Sequence, residues 1–330
     1  QAMAKDGFQQ TDTVKRERNL DWIGFAALAL SLCALQVTLD RGEQDDWLDS
    51  PVILSMAVSS IVMFVTFAWR TMTNHRDPLF NFAVLKDRNF VLACTIMFAM
   101  GIGLFGGMLL QPMFLENLLG YPTTEAGIDL VPRGLATLVA MTLISRVSAR
   151  VAPKTLLTAG VFFSIVGSIA MTRLNASIDG WWMAFPLVLQ GFGLGLIFVP
   201  TSTVAFATIP KYLSAEAAGL YSLVRSVGSA VGISLVSSYF VRSTQAHWEL
   251  FRGQFNPYRG AVTDYLSGLH LAPGSPMGVQ MLGQVLNQQA QLAAFVDTFW
   301  LVAASFVAMI PVLLFMRKTR PGSAPPVAAE

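Results

Sequence analysis

An all-α integral membrane protein with eight transmembrane helices is the fold class this sequence predicts, on three observations. Of its 330 residues, 54% are hydrophobic and 13% charged, about half the charged share of a soluble domain. Mean hydropathy is +0.54, more apolar surface than a water-soluble exterior hides. The apolar residues fall in continuous runs of about 20, enough to cross a ~30 Å core as helices, whereas barrel strands would alternate over about ten. The net charge of +2 averages over loops on two sides of a bilayer and carries no signal for nucleic acid.

The elements follow in order. Residues 1–20 read as a cytoplasmic linker rich in Lys and Arg; they lack an apolar signal core and do not begin with Met, as in a processed chain or a piece of something longer. Residues 21–70 hold two spans, Trp22–Leu39 and Pro51–Trp69, joined by the acidic DRGEQDDWLD. Residues 71–89 form a cytoplasmic segment in which PLFNFAVLKDRNF has the pattern of a short interfacial helix. Five spans fill residues 90–241: Phe90–Leu115, Ala126–Ser145, Thr155–Thr172, Gly180–Pro210 and Ala217–Val241. Residues 242–297 form a long periplasmic loop, read as a solvated hairpin or a docking surface. Its stretch MGVQMLGQVLNQQAQLAAFVD is helical in pattern and should run into the last span, residues 298–316. The Pro/Ala-rich tail, residues 317–330, is expected to be disordered and cytoplasmic.

Charge bias orients these spans. With the N-terminus inside, 15 of the 22 Lys and Arg fall in inner segments and 5 in outer ones, which is the positive-inside pattern. The remaining two, Arg133 and Arg225, lie within spans.

Small residues recur at four-residue spacing, which lets helix backbones approach in lipid. Ser222, Ser226, Ala230 and Ser234 line one face beside Gly228 and Gly232; Gly103 with Gly107, and Gly160 with Ser164 and Ser168, do the same. QGFGLGLIFVP follows no strand and lacks dinucleotide-site spacing, so packing or a hinge explains it better. Pro112, Pro132, Pro186, Pro200 and Pro311 lie in or near spans, as in the kinked helices of transporters.

Asp129 and Arg133 stand four residues apart and can pair on one helix face, or line a water-filled cavity. Arg225 has no carboxylate one turn away, so it calls for an anion, carbonyls or water from elsewhere. Cys33 and Cys94 both sit in apolar runs and suggest no disulfide framework. His75, His247 and His270 are scattered through loops, so the sequence offers no catalytic constellation, no metal set and no cofactor motif. Nothing in it points to an enzyme.

LDWIGFAALALSLCALQVTLDRGEQDDWLDSPVI, LLQPMFLENLLGYPTTEAGIDLVPRGL, GFGLGLIFVPTST, AAGLYSLVRSVGSAVGISLVSS and the NPY of the long loop carry a resemblance. The chain resembles the EmrB/QacA-type drug:proton antiporters, fourteen-helix members of the major facilitator superfamily, from about Leu20 to Arg320. Ser222 replaces a frequent Asn, and Gly228-Ser229-Ala230 a Gly-Gly-Ser. The resemblance implies two extra central helices followed by the six-helix C-terminal bundle, with an N-terminal six-helix bundle missing. It implies proton-driven efflux of drugs or other small amphipathic compounds by alternating access from the cell inner membrane. A periplasmic adaptor and an outer-membrane channel are further implied partners. Asp129, Arg133 and Arg225 are then expected on the substrate or proton pathway, and Gln111, Gln190, Phe192 and Phe198 as cavity lining. Alternatives are export of a siderophore, lipid or metabolite, or a non-transporting membrane scaffold.

Overall fold

The computed structural model describes residues 21–45, 47–73, 82–173, 180–254, 260–268 and 275–316. The sequence readings that fall on residues 1–20, on His75 and Arg76, on the NPY at 256–258, on His270 and on the tail 317–330 lie outside them. Eight helices are long and apolar enough to cross a membrane: Trp22–Arg41, Pro51–Thr73, Arg88–Leu118, Thr123–Val147, Pro153–Met171, Trp182–Ala207, Lys211–Gly253 and Pro276–Phe315. They are the first to eighth spans below. All regular structure among the described residues is helical, and the protein is an all-α, multi-pass membrane protein.

The first two spans form an antiparallel pair. Ser31 Oγ donates to the Ser60 carbonyl at 2.9 Å and Ser60 Oγ returns a bond to the Ser31 carbonyl at 3.0 Å. Each hydroxyl thereby meets its partner without water, which lipid does not supply. At one end Asp21 caps the first helix through the Gly24 N–H and pairs with Arg70 at 3.0 Å. Hydrogen bonds from Arg70 and from Gly24 hold its carboxyl below the usual range. The pair leans on the seventh span through Leu28, Phe67 and Leu223. At its other end Glu43 pairs with Arg242 at 3.3 Å.

Of the remaining six spans, the third touches the sixth, seventh and eighth, while the fourth and fifth pack mainly on the sixth. Glycine decides how closely. A methyl added at Gly101 would fall 2.3 Å from the Gly228 carbonyl oxygen, and one at Gly232 would fall 2.5 Å from the Gly101 carbonyl oxygen. The predicted Gly228/Gly232 pair is thus a true helix seam. Its partner is Gly101; of the other predicted small pair, Gly103 meets the Phe306 ring and Gly107 faces open space. The third helix also widens twice into π turns, at Gly101–Gly106 and Phe114–Leu118. A glycine run and Pro112, which has no N–H to give, weaken the ordinary ladder there.

The seventh helix runs 41 residues, Ser214–Gln254, about 62 Å at ~1.5 Å per residue, twice the ~30 Å hydrocarbon core. The eighth, Pro276–Val307, is similarly long before a break at Ala308, and it contains the MGVQMLGQVLNQQAQLAAFVD stretch. Both project beyond the bundle at the Glu43 end. There Asp297 accepts from Ser243 at 3.0 Å and meets His247 Nε2 at 2.7 Å. His247 therefore stands on a helix, a correction to its reading as a loop residue. Ser243 and His247 share one carboxylate oxygen and do not form a nucleophile–base pair. At the opposite end Lys154 Nζ donates to the carbonyls of Leu314 and Met316, closing the eighth helix with a cation at its C-terminus. Of the expected interfacial helix, Phe82–Lys86 forms a single 3-10 turn, and residues 74–81 lie outside the described part.

Candidate functional site

The site begins with a break in the fourth span. Pro132 has no N–H for the Ile128 carbonyl, and the helix divides into Thr123–Asp129 and Val131–Val147. The four-residue spacing of Asp129 and Arg133 is not carried across this break as regular helix. The expected pair does not form, and Asp129 makes no side-chain hydrogen bond or ion pair among the described residues.

Arg133 instead turns toward the third span. Its Nη1 donates to Gln111 Oε1 at 2.5 Å and its Nη2 to the Leu104 carbonyl, inside the first π turn, at 3.4 Å. Gln111 passes the chain on from Nε2 to Gln190 Oε1 at 2.7 Å, and Gln190 Nε2 reaches Ser168 Oγ at 3.1 Å. Gln111 and Ser168 are fully buried and Gln190 is 2% exposed. One relay thus crosses the fourth, third, sixth and fifth spans. Every link is directed, since Gln190 fixes the Gln111 amide with its oxygen toward the guanidinium.

The sixth helix holds this register through alternate glycines. A methyl at Gly191 would lie 2.2 Å from the Arg133 carbonyl oxygen, one at Gly195 would lie 2.5 Å from Ala140, and one at Gly193 would meet Ser164. Gly191 and Gly195 therefore press on the fourth span and Gly193 on the fifth, which makes packing the role of QGFGLGL. Thr137 Oγ1 clasps the closest approach, lying 2.9 Å from the carbonyls of both Arg133 and Gly191.

Beside the relay lies a cavity of about 510 Å³, whose walls include Met100, Leu104, Met108, Gln111, Arg133 and Phe198. That volume is in the usual range for small-molecule sites. Met108 and Leu138 on its rim are exposed, so it is open on one side. The described lining contains no acidic side chain. Arg225 stands over the ring of the wall residue Phe198, 5.9 Å from its centroid, within cation–π reach. It makes no hydrogen bond or ion pair among the described residues.

Of the residues named from sequence, the structure brings Gln111, Arg133 and Phe198 to one cavity, with Gln190 bonded to Gln111 and Arg225 over the Phe198 ring. Phe192 lies elsewhere, packed edge-on against Phe163 at 5.3 Å. Asp129 is half-buried, one residue before the wall residue Leu130. Sequence reading missed Ser168, Thr137 and the methionines Met100, Met108 and Met141. Ser168 was legible as a polar member of a small-residue stripe, and unbranched methionines in a wide helix are a recognisable sign of an adaptable pocket.

The family model described as Major Facilitator Superfamily matches residues 22–233. The chain belongs to the major facilitator superfamily. This facilitator is 24% identical over 310 residues to the Multidrug export protein EmrB of Escherichia coli (strain K12), covering 93% of the chain and 60% of that protein. It is 26% identical over 310 residues to the Fatty acid resistance protein FarB of Neisseria gonorrhoeae, covering 92% and 60%. It is also 25% identical over 253 residues to the Colistin resistance protein EmrB of Acinetobacter baumannii, covering 76% and 49%. The facilitator chain spans about 60% of the length of the first two relatives.

Proposed function

We propose that this facilitator chain forms the two central helices and the C-terminal bundle of a fourteen-helix exporter, which moves small amphipathic compounds outward in exchange for protons. The relatives named for multidrug export and for fatty acid and colistin resistance support the cargo class. The observation that carries the reading is the Arg133–Gln111–Gln190–Ser168 relay opening on a largely apolar cavity. Lone ionic groups in a bilayer mark substrate or ion pathways. A cavity open on one side suits a site shared between two bundles that rock against each other, with the substrate near the midplane.

In this reading the Lys154 end is cytoplasmic, the projecting helices are periplasmic and the membrane is the cell inner membrane. The projecting pair then offers a surface to a periplasmic adaptor, itself coupled to an outer-membrane channel. Arg133 and Arg225 act on the substrate path and Asp129 on the proton path, with no enzymatic step. The test is dye transport by the full-length gene product in proteoliposomes under an imposed pH gradient. Accumulation that collapses with a protonophore is expected; accumulation indifferent to the gradient would reject proton coupling, and none at all would reject export.

A further inference from the structure

We infer that the cavity between the third, fourth and sixth spans takes an amphipathic anion, its oxyanion head on Arg133 and its apolar body against Met100, Met108, Met141 and Phe198. The inference rests on the export reading and names the cargo class of that same cavity.

The charge balance of the walls is the first argument. A guanidinium carries five N–H donors, and Arg133 spends two, both on neutral acceptors, Gln111 Oε1 and the Leu104 carbonyl. These bonds aim the group without cancelling its charge. No described wall residue is acidic, and Asp129, four residues before Arg133, makes no ion pair with it. A half-buried cation with no counter-charge on the described walls is costly. A carboxylate or other oxyanion arriving with the ligand removes that cost and gains charge-assisted, two-pronged bonding to the free N–H groups.

The second argument is exclusion. A cationic ligand would meet Arg133 at the wall and have Arg225 nearby over the Phe198 ring, two like charges beside a lining with no described acid. A neutral ligand would bring Arg133 no counter-charge beyond the described walls, which supply none. The rest of the wall suits a flexible hydrocarbon: methionine thioethers adapt to irregular apolar shapes, and about 510 Å³ accommodates a medium-length chain. The relay explains why amides hold the arginine. A carboxylate at position 111 would neutralise it and occupy the donors that the ligand needs.

The experiment uses the full-length gene product in phosphatidylcholine nanodiscs. The probes are 11-(dansylamino)undecanoate, its methyl ester and the trimethylammonium analogue of equal length, read by energy transfer from tryptophan. The carboxylate should bind at least about tenfold tighter than either analogue. Arg133→Gln should abolish this preference, and so should the nearly isosteric Gln111→Glu, which supplies Arg133 with an internal anion. Adding phosphatidylglycerol distinguishes the source: competition at low mole fraction assigns the site to an anionic lipid, and its absence assigns it to a free amphipath, the head chemistry being the same. Equal affinities for the three probes, or a preference that survives both variants, would overturn the inference. Proton-driven dye transport by the same purified protein in proteoliposomes separates this failure from failure of the export reading, since export by an anion-indifferent cavity would persist.

Discussion

Arg133 donates to Gln111 Oε1 at 2.5 Å across the gap between the fourth and third spans, and Gln111 in turn donates to Gln190. A single side chain therefore satisfies a cation on one side and an amide on the other. Gln111→Leu removes both bonds and leaves the half-buried Arg133 and the buried Gln190 each without that partner. The expected cost is about 1–3 kcal/mol for each orphaned group, together with loss of export. Gln111→Glu should keep the fold. Thermal unfolding of both variants in detergent, set beside their transport rates, checks this.

Gly191 touches the backbone of Arg133, so its substitution tests whether close packing places the site. The methyl of Gly191→Ala would meet a carbonyl oxygen at 2.2 Å, and backbone cannot swing aside as a side chain does. Separation of the fourth and sixth spans is expected, with a loss of about 1–3 kcal/mol. Gly107→Ala is the control. Its methyl enters open space, so stability should stay within about 1 kcal/mol of the parent. Equal melting shifts for the two variants would contradict the packing account.

The Glu43–Arg242 pair ties the first two spans to the seventh and should make that attachment sensitive to acid. Burial raises the Glu43 carboxyl, but hydrogen bonds from Trp47, Ser238 and Arg242 outweigh it and leave it below its ordinary value of 4.5. A carboxylate lowered in the folded state stabilises fully above its unfolded value, and that contribution fades as pH falls through the folded one. Wild type should therefore melt above Glu43→Gln at pH 7, with the gap closing below pH 4.5. A gap that widens on acidification would show the sign to be wrong.

Asp129→Asn addresses the proton path. The carboxyl is half-buried, has no partner among the described residues and directly precedes Leu130 on the cavity wall. Removing its ability to take up a proton should lower gradient-driven efflux while leaving ligand binding at Arg133 close to the parent value. Efflux with unchanged proton dependence would remove Asp129 from the mechanism.

Much of the architecture was legible in the chain because lipid imposes a simple rule. A helix must be apolar over its full crossing, so runs such as Pro51–Trp69 declare themselves without neighbours. The Gly228/Gly232 seam was legible for a related reason: close approach in lipid needs small residues at helical spacing. Gln111 and Gln190 were visible as amides in apolar surroundings, although their direct bond was not.

What tertiary structure decided is the direction of each polar group. Spacing alone allowed Asp129 to pair with Arg133, whereas in the packed bundle the helix is interrupted at Leu130 and Arg133 bonds to Gln111 instead. Spacing also left Gly103–Gly107 as a seam, yet only Gly103 is in close contact, with the Phe306 ring, while Gly107 faces open space. Phe192 and Phe198 look alike in sequence, but one faces Phe163 and the other the cavity. Hydropathy adds up along one helix and so can be read from the chain. The partners of a lone charge belong to other helices, and their positions exist only once the bundle has packed.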